Sequence, residues 1–597
     1  MNNHALHARP SLVLMVLLAA LAVPAAQAAS ITVDPRAADA ASAGDGRCSL
    51  REAVLSINAG ANVGDCVATV LEPYGSNDTL NLPAGVYTLT RMGLDETYVD
   101  TAPGNPAIVP TVANVADATV GDLDLLKSVQ IIGAGAGATI ITWSTDPGVV
   151  RDRIFHIHAD NNPVAVSLQS LSLSNGQTLE TPIKVGPASG MWPALYHLRR
   201  AGGAVAVGPA AAVVLVDMGQ SGQARQAGRG GSNKPGTPRA IGATSLSLEI
   251  KQVIVTGNSA QGDGGGIYSA GVLSTNALRV SDNSADTAGG GIYTEGPASL
   301  TNTTIRDNTA EGGGGVFGAG SSVVNFVGAT LSGNKAVVGG GISARAGVTL
   351  RLLNSTLSAN VASDTVGGID TDGAADLRFV TIARNLAGDE VSSSGVGLNS
   401  AASTSRLFTL KNVLLADNRT GYTDGMDATE IAALPSANCG STGASATLAS
   451  RGFNLSSDNS CESVLSLNGD QNSKDTKLGD LGDNGGGSLT HALLAGSPAL
   501  GAGQAEADVT LDQRGQTRDA TPDVGAFELP GVPTQLATDG TLSGSTGGGC
   551  TVNPDAGFDP GLPALGLAAM VGLWLRQRQR QRKRQRRQDR AKLPKNQ

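Results

Sequence analysis

An asparagine returns at Asn258, Asn283, Asn308, Asn334, Asn360 and Asn385, at spacings of 25, 25, 26, 26 and 25 residues. Three residues before each stands an apolar side chain: Val255, Val280, Ile305, Leu331, Leu357 and Ile382. Two residues after each stands alanine. Glycine clusters follow at 264–266, 289–291, 312–315, 339–341 and 367–368, each succeeded by Ile or Val. Leu415 and Asn418 open a seventh, degenerate copy. A fixed period of this length is the signature of a stacked repeat.

Each unit holds short alternating apolar runs, such as STLSAN and GGIYTEG, which read as strands. A period of about 25 residues is too short for a βαβ unit, which needs about 30 or more. Three short strands per turn fit it, and the L-x-x-L-x-L signature of leucine-rich repeats is absent. Stacked Ile and Val can fill a narrow core, which suits a chain with 80 glycines and only 3% aromatic residues. Asparagine tolerates left-handed backbone, and stacked copies should form a ladder, each bonding the next coil about 4.8 Å away. The expected fold is therefore all-β, a right-handed single-stranded parallel β-helix of about ten coils over 121–425. Insertions interrupt it near 177–201 and 219–243. A capping box, Ser49 to Glu52, predicts a short helix over 50–58 that lids the first coil. Residues 29–120 form the N-terminal cap, 426–530 the C-terminal cap and 531–549 a linker.

The two ends read as addresses. Residues 1–28 form a signal peptide, with an apolar run from Ser11 to Val23 and cleavage after Ala28. The tail 550–597 begins at Cys550, continues through an apolar segment at 562–575 and ends in a basic run from Arg576. Fourteen helical residues reach about 21 Å, short of a hydrocarbon core of about 30 Å. This suits transient inner-membrane retention, with the basic end cytoplasmic. The body, 29–549, holds 30 basic against 48 acidic residues, a net of −18. Such a body is a poor partner for nucleic acid. Export makes disulfides admissible, and local pairing gives Cys48–Cys66 and Cys439–Cys461. Each closes a loop worth about 3 kcal/mol in the chain-entropy model. Cys550 is left over as an anchoring or processing position.

The segment CSLREAVLSINAGAN (48–62) resembles the CSLREA motif of secreted bacterial β-helix proteins. Further matches follow in order at 81–90, 121–141 and 153–176. Near the end, SLTHALLAGSPALGAG (488–503) and LDQRGQTRDATPDVGAFE (511–528) resemble the choice-of-anchor Q domain. The region 438–461 is similar to the cysteine pair that precedes it. Gly547 to Cys550, Asp559-Pro560, the apolar run and the arginines resemble a JDVT-CTERM sorting tail. The resemblance implies a pectin-lyase-like β-helix at the cell surface, outer membrane or outside the cell, and implies no reaction.

Pectin-lyase-like folds also host lyases and glycosidases. Asp370, Thr371, Asp372, Gly373 and Asp376 look like the NTDGxD motif of polygalacturonases, in which paired carboxylates act as acid and base. No GHG or RIK motif follows, and the same slot holds IYSAG and IYTEG in other copies, so repeat position accounts for these residues. His156 and His158 alternate in FHIH and could face one side of a strand. No carboxylate or cysteine close by in sequence completes a metal set, and they read as surface or capping residues. Asp480, Asp483 and Asn484 lack EF-hand spacing for Ca²⁺ and read as a turn. Asp512, Arg514 and Asp523 read as a polar cluster of the C-terminal cap. The expected protein is a monomeric, exported, non-enzymatic binder of an extracellular glycan or protein, with no cofactor. The alternative is a carbohydrate-active enzyme on acidic glycans.

Overall fold

The computed structural model describes residues 28–530, apart from 43, 69–73, 76–77, 93–96, 100–110, 114–117, 158–162, 179–202, 208–245, 389–395, 401–406 and 442–446. The signal peptide, the linker and the sorting tail with Cys550 lie outside the described residues. Among the described residues no helix is long and apolar enough to cross a membrane.

The chain winds into a right-handed parallel β-helix. One coil runs through Ile267–Ser269, Val272–Asn276 and Arg279–Ser281, then through the short strand Ser284–Ala285. Strands like the first stack into a ten-stranded face that begins with Leu123–Leu125 and ends with Cys439–Ser441. The second and third stack as two flanks of one long sheet. Pairing is in register by whole coils: Ile267 lies beside Ile292, Ile292 beside Val316, and Val316 beside Ile342. These side chains point inward and are at most 1% exposed. The file Val255, Val280, Ile305, Leu331, Leu357 and Ile382 is fully buried opposite them.

The asparagines form one continuous file. The Nδ2 of Asn258 donates to Oδ1 of Asn283, and the same 2.9 Å bond repeats from Asn283 to Asn308, Asn334, Asn360 and Asn385. It continues at 2.8 Å through Asn418 to Asn438. Each Oδ1 also accepts from the backbone N–H of the preceding asparagine. Each Nδ2 also donates to a carbonyl of the preceding coil, as Asn308 does to Val280 at 3.1 Å. The left-handed backbone sits one residue earlier than expected. Asp282, Asp307, Ala359, Arg384 and Asp417 carry φ of 54–59°, and the ladder asparagines do not. The asparagine is chosen for its carboxamide, which satisfies a buried corner, and the turn itself is made by its neighbour. The glycine triplets serve the same corner. A Cβ on Gly291 would lie 2.7 Å from the carbonyl of Gly315 and 3.1 Å from Asn308 Nδ2.

Both ends differ from the sequence expectation. Parallel pairing begins before residue 121: Ser30–Thr32 pairs with Asp78–Leu82, which pairs with Val129–Gly133. Helix α1 (Leu50–Ala59) has the complete capping box of Ser49 and Glu52 and lies against Leu123–Leu125. Its Arg51 is fully buried and donates to Asp39 and to the carbonyls of Ala118, Gly121 and Asp122. Both disulfides, Cys48–Cys66 and Cys439–Cys461, are formed. The first insertion begins after residue 178, because Gln177–Thr178 is a strand paired with Ser259–Ala260.

Residues 426–530 do more than cover an end. Cys439–Ser441 and Thr447–Ser450 continue the coils. The chain from 478 to 530 then returns along the side of the long sheet as a strap. Gln504 bonds Asn412, Asn354 bonds Leu511, Gln513 bonds Thr330 and Thr356, and Ser488 bonds Gly328. Val524, Phe527, Leu478 and Leu493 cover Ala383, Leu414, Ala416 and Leu455, an outward sheet face that is apolar because it is covered. Arg514 pairs with Asp512, as the sequence grouping implied. Asp523 instead accepts from the backbone of Gly501 and Leu529. The main buried pair of the strap is Arg518–Glu528 at 3.0 Å, with Arg518 stacked 4.0 Å over Phe379. His491 Nδ1 donates to the carbonyl of Gly479 at 2.9 Å, and its Nε2 accepts from the Ser358 hydroxyl at 2.8 Å.

Two predictions follow from these contacts. Asn308→Ala strips bonding partners from Asn283 and Asn334 in a dry corner and should cost about 3 kcal/mol. Asn276→Ala, on the exposed surface, should stay within about 0.5 kcal/mol. Urea unfolding midpoints of the two variants check this contrast. Burial lowers the His491 pKa to about 4. The unfolded chain therefore takes up a proton before the folded one, and stability is lost as pH falls from about 6.5 through 4. The expected loss is about 3 kcal/mol. Melting temperatures over that window should slope steeply in the wild type and be flatter in His491→Gln.

Candidate functional site

The three-residue strands of the ten-stranded face bury their first and third side chains and turn the middle one outward. Whole-coil register therefore sets one outward file along the face: Asp124, His156, Ala206, Tyr268, Tyr293, Phe317, Ser343, Asp370 and Asn399. Its centre is aromatic. The rings of Tyr268 and Tyr293 stack at 5.3 Å and 10°, and those of Tyr293 and Phe317 at 5.4 Å and 4°. Arg345 lies 5.4 Å over the Phe317 ring. The Tyr268 hydroxyl meets Glu295 at 3.1 Å. Ala270, Ala288 and Ala319 flank the rings. Tyr268 and Phe317 are buried, 7% and 6% exposed, and Tyr293 between them is partly exposed. Burial raises both tyrosine pKa values and keeps the hydroxyls protonated.

Beyond Arg345 the file turns polar. Asp370 accepts from Asn399 Nδ2 at 3.1 Å. Burial raises its pKa, the Asn399 bond opposes this, and Asp372 raises it further. Asp376, grouped with these two by sequence, stands on the long sheet, where it bonds Thr409 and lies 3.7 Å from Arg451. The fold thus separates the three carboxylates of the DTDGAAD segment: two remain near each other and Arg345, and the third serves a different sheet.

His156 is a correction. It is 2% exposed, not a surface residue, and its neighbours in space are acidic. Asp124 is its register partner one coil back, and Asp122 lies just before that strand. The sequence hid the set because the carboxylates stand more than thirty residues away, which is one coil in this irregular region. His158 lies outside the described residues. Asp483 and Asn484 follow a hairpin strand, Leu478–Gly482, as part of its turn, whereas Asp480 lies in the strand itself: Asp480 pairs with Arg384, Asp483 accepts from Gly485, and Asn484 bonds Thr490. The aromatic file was missed at sequence level because IYSAG and IYTEG read only as repeat filler. The available signal was that three of so few aromatic residues fall in consecutive copies of one slot.

Comparison with known proteins adds a repeat match and a set of distant folds. The family profile of the Chlamydia polymorphic membrane protein repeat matches residues 252–270, the stretch that runs through Asn258 and the first glycine triplet to Tyr268. No curated protein matches the sequence. Among solved structures, pectate lyase Pel9A is 12% identical, with 76% of this chain and 88% of that one covered and a TM-score of 0.38. The A-module of mannuronan C-5 epimerase AlgE6 from Azotobacter vinelandii is 14% identical, with coverages of 69% and 98% and a TM-score of 0.26. ORF18 of Geobacillus virus E2 is 10% identical, with coverages of 70% and 61% and a TM-score of 0.31.

Asp370→Asn keeps the acceptor for Asn399 and removes a buried charge. A carboxyl raised in the folded state loses stability as pH rises through its folded pKa, from the ordinary value of 3.8 upward. The variant should therefore melt higher than wild type at pH 7 and lose that advantage at pH 4. Melting curves at the two pH values check it.

Proposed function

We propose that this chain is an exported surface protein that binds an extended, uncharged glycan along its ten-stranded face without turning it over. The observation that carries the reading is the outward file itself. It carries two tyrosines, a phenylalanine, a serine and an aspartate–asparagine pair at a pitch of one coil, about 4.8 Å, with Arg345 beside the Phe317 ring. That pitch is comparable to the length of one sugar unit in an extended chain. Ring edges, hydroxyls and a bidentate guanidinium suit hydroxyl-rich ligands. The net charge of −18 on the body disfavours polyanions.

The surface destination rests on the sequence motifs at both ends: the leader ending at Ala28, the CSLREA-like and choice-of-anchor-Q-like segments, and the sorting tail beginning at Cys550. The matching repeat, named for a membrane protein of Chlamydia, agrees with that destination. On this reading the mature protein starts at Ala29 and lacks the arginine-rich end, which intact-mass measurement of the protein from its own cells would read directly.

A second reading has one observation in its favour. Asp370, raised by burial beside Asp372 and Arg345, has the character of a general acid. A panel of polysaccharides separates the two readings. Binding without products, weakened about tenfold or more in Tyr293→Ala and Arg345→Ala, supports the proposal. Products formed by wild type and lost in Asp370→Ala or Asp372→Ala would replace it with a hydrolase or lyase.

A further inference from the structure

We propose that Asp122, Asp124 and His156 hold one divalent transition ion of the zinc class at the N-terminal end of the ten-stranded face. This site is independent of the glycan reading. The three side chains come from two neighbouring coils. Asp124 and His156 are direct register partners in adjacent parallel strands, and Asp122 precedes the first of those strands. One ligand atom from each lies within 4.8 Å of the others. Exposure is 0%, 1% and 2%, so the cluster is dry.

The spacing and the kind of the donor atoms fit a metal ion. Nδ1 of His156 lies 3.7 Å from Oδ1 of Asp124. That is too long for a hydrogen bond. It is close to the separation of about 3.4 Å between two ligands on a tetrahedral ion with bonds of about 2.1 Å. The donor set, two carboxylates and one imidazole, suits zinc-like ions better than Ca²⁺ or Mg²⁺, which prefer oxygen alone.

The surroundings fit a structural site. Arg153 pairs with Asp122 and is itself fully buried, acting as the outer partner that orients a ligating carboxylate. Arg51 of α1 donates to the main-chain carbonyl of Asp122 at 3.1 Å and fixes the approach of that segment. Such an ion is bound as the chain folds, and its effect is on stability of the first coils.

The test uses the full chain without an added histidine tag, refolded with Zn²⁺ or Co²⁺ and dialysed against metal-free buffer. Elemental analysis should find about one zinc per chain, and the Co²⁺ form should show visible ligand-field absorption of bound metal. His156→Gln and Asp124→Asn should lower occupancy about tenfold or more and abolish the zinc-dependent rise in melting temperature. Wild-type protein that retains no stoichiometric metal and shows no Co²⁺ band would overturn the proposal, whether or not the variants fold. So would folded variants that retain the same one equivalent.

Discussion

Each ladder carboxamide is bonded to the coil before it and the coil after it, and the rest of the molecule depends on that reciprocity. A parallel β-helix pairs its backbone along its own axis, so a residue is always the neighbour of its equivalent one coil away. Asparagine is self-complementary in that setting, because its N–H₂ and C=O can satisfy the O and N–H of an identical side chain. Asn283, Asn308 and Asn334 occupy a corner where Gly266, Gly291 and Gly315 leave no room for a Cβ. No water is needed to satisfy the amide there, since its donors and acceptor all have protein partners.

The same register that builds the core writes the surface. Where the inward positions repeat Ile and Val, the outward position is free to change from coil to coil, and it does so in blocks: acid and imidazole, then rings, then serine, aspartate and amide. The rings stack nearly parallel, one coil apart, and lie packed against Ala270, Ala288 and Ala319. The other outward faces are either polar or, on the lower flank of the long sheet, covered by the returning strap. Arg518 and Glu528 sit at the centre of that strap, where burial lowers the arginine and raises the carboxyl to about 7. Pairing and the contact with Phe379 offset the desolvation of both charges.

Much of the fold was legible in the residues because a stacked repeat turns a three-dimensional neighbour into a fixed sequence interval. The asparagine file, the inward apolar files, the capping box at Ser49 and the local cysteine pairs all follow from spacing. What spacing could not supply was everything that breaks the period. The strap is aperiodic, so its path from Asn412 to Gly328 is invisible until the side chains it bonds are seen. His156 and Asp124 are neighbours across a coil of irregular length, so a search for nearby carboxylates in sequence fails. Asp376 fails in the opposite sense: it is close to Asp370 in sequence, yet a corner at Gly373 carries it onto another sheet. The left-handed residues also misled, because asparagine is the usual occupant of that conformation, and here its predecessor takes it.

The most direct test of whole-coil register is the thermal unfolding of two internal deletions. Removing 259–283 excises one 25-residue period and joins Asn258 to Ser284, so every remaining side chain meets an equivalent neighbour. Removing 259–270 excises about half a period, takes away the glycine corner at 264–266 and joins Asn258 directly to Gly271, so that the strand Val272–Asn276 falls out of register with its neighbours. The account predicts that the first deletion melts cooperatively near the wild-type temperature and that the second does not fold. Equal tolerance of the two, or collapse of the whole-period deletion alone, would contradict it.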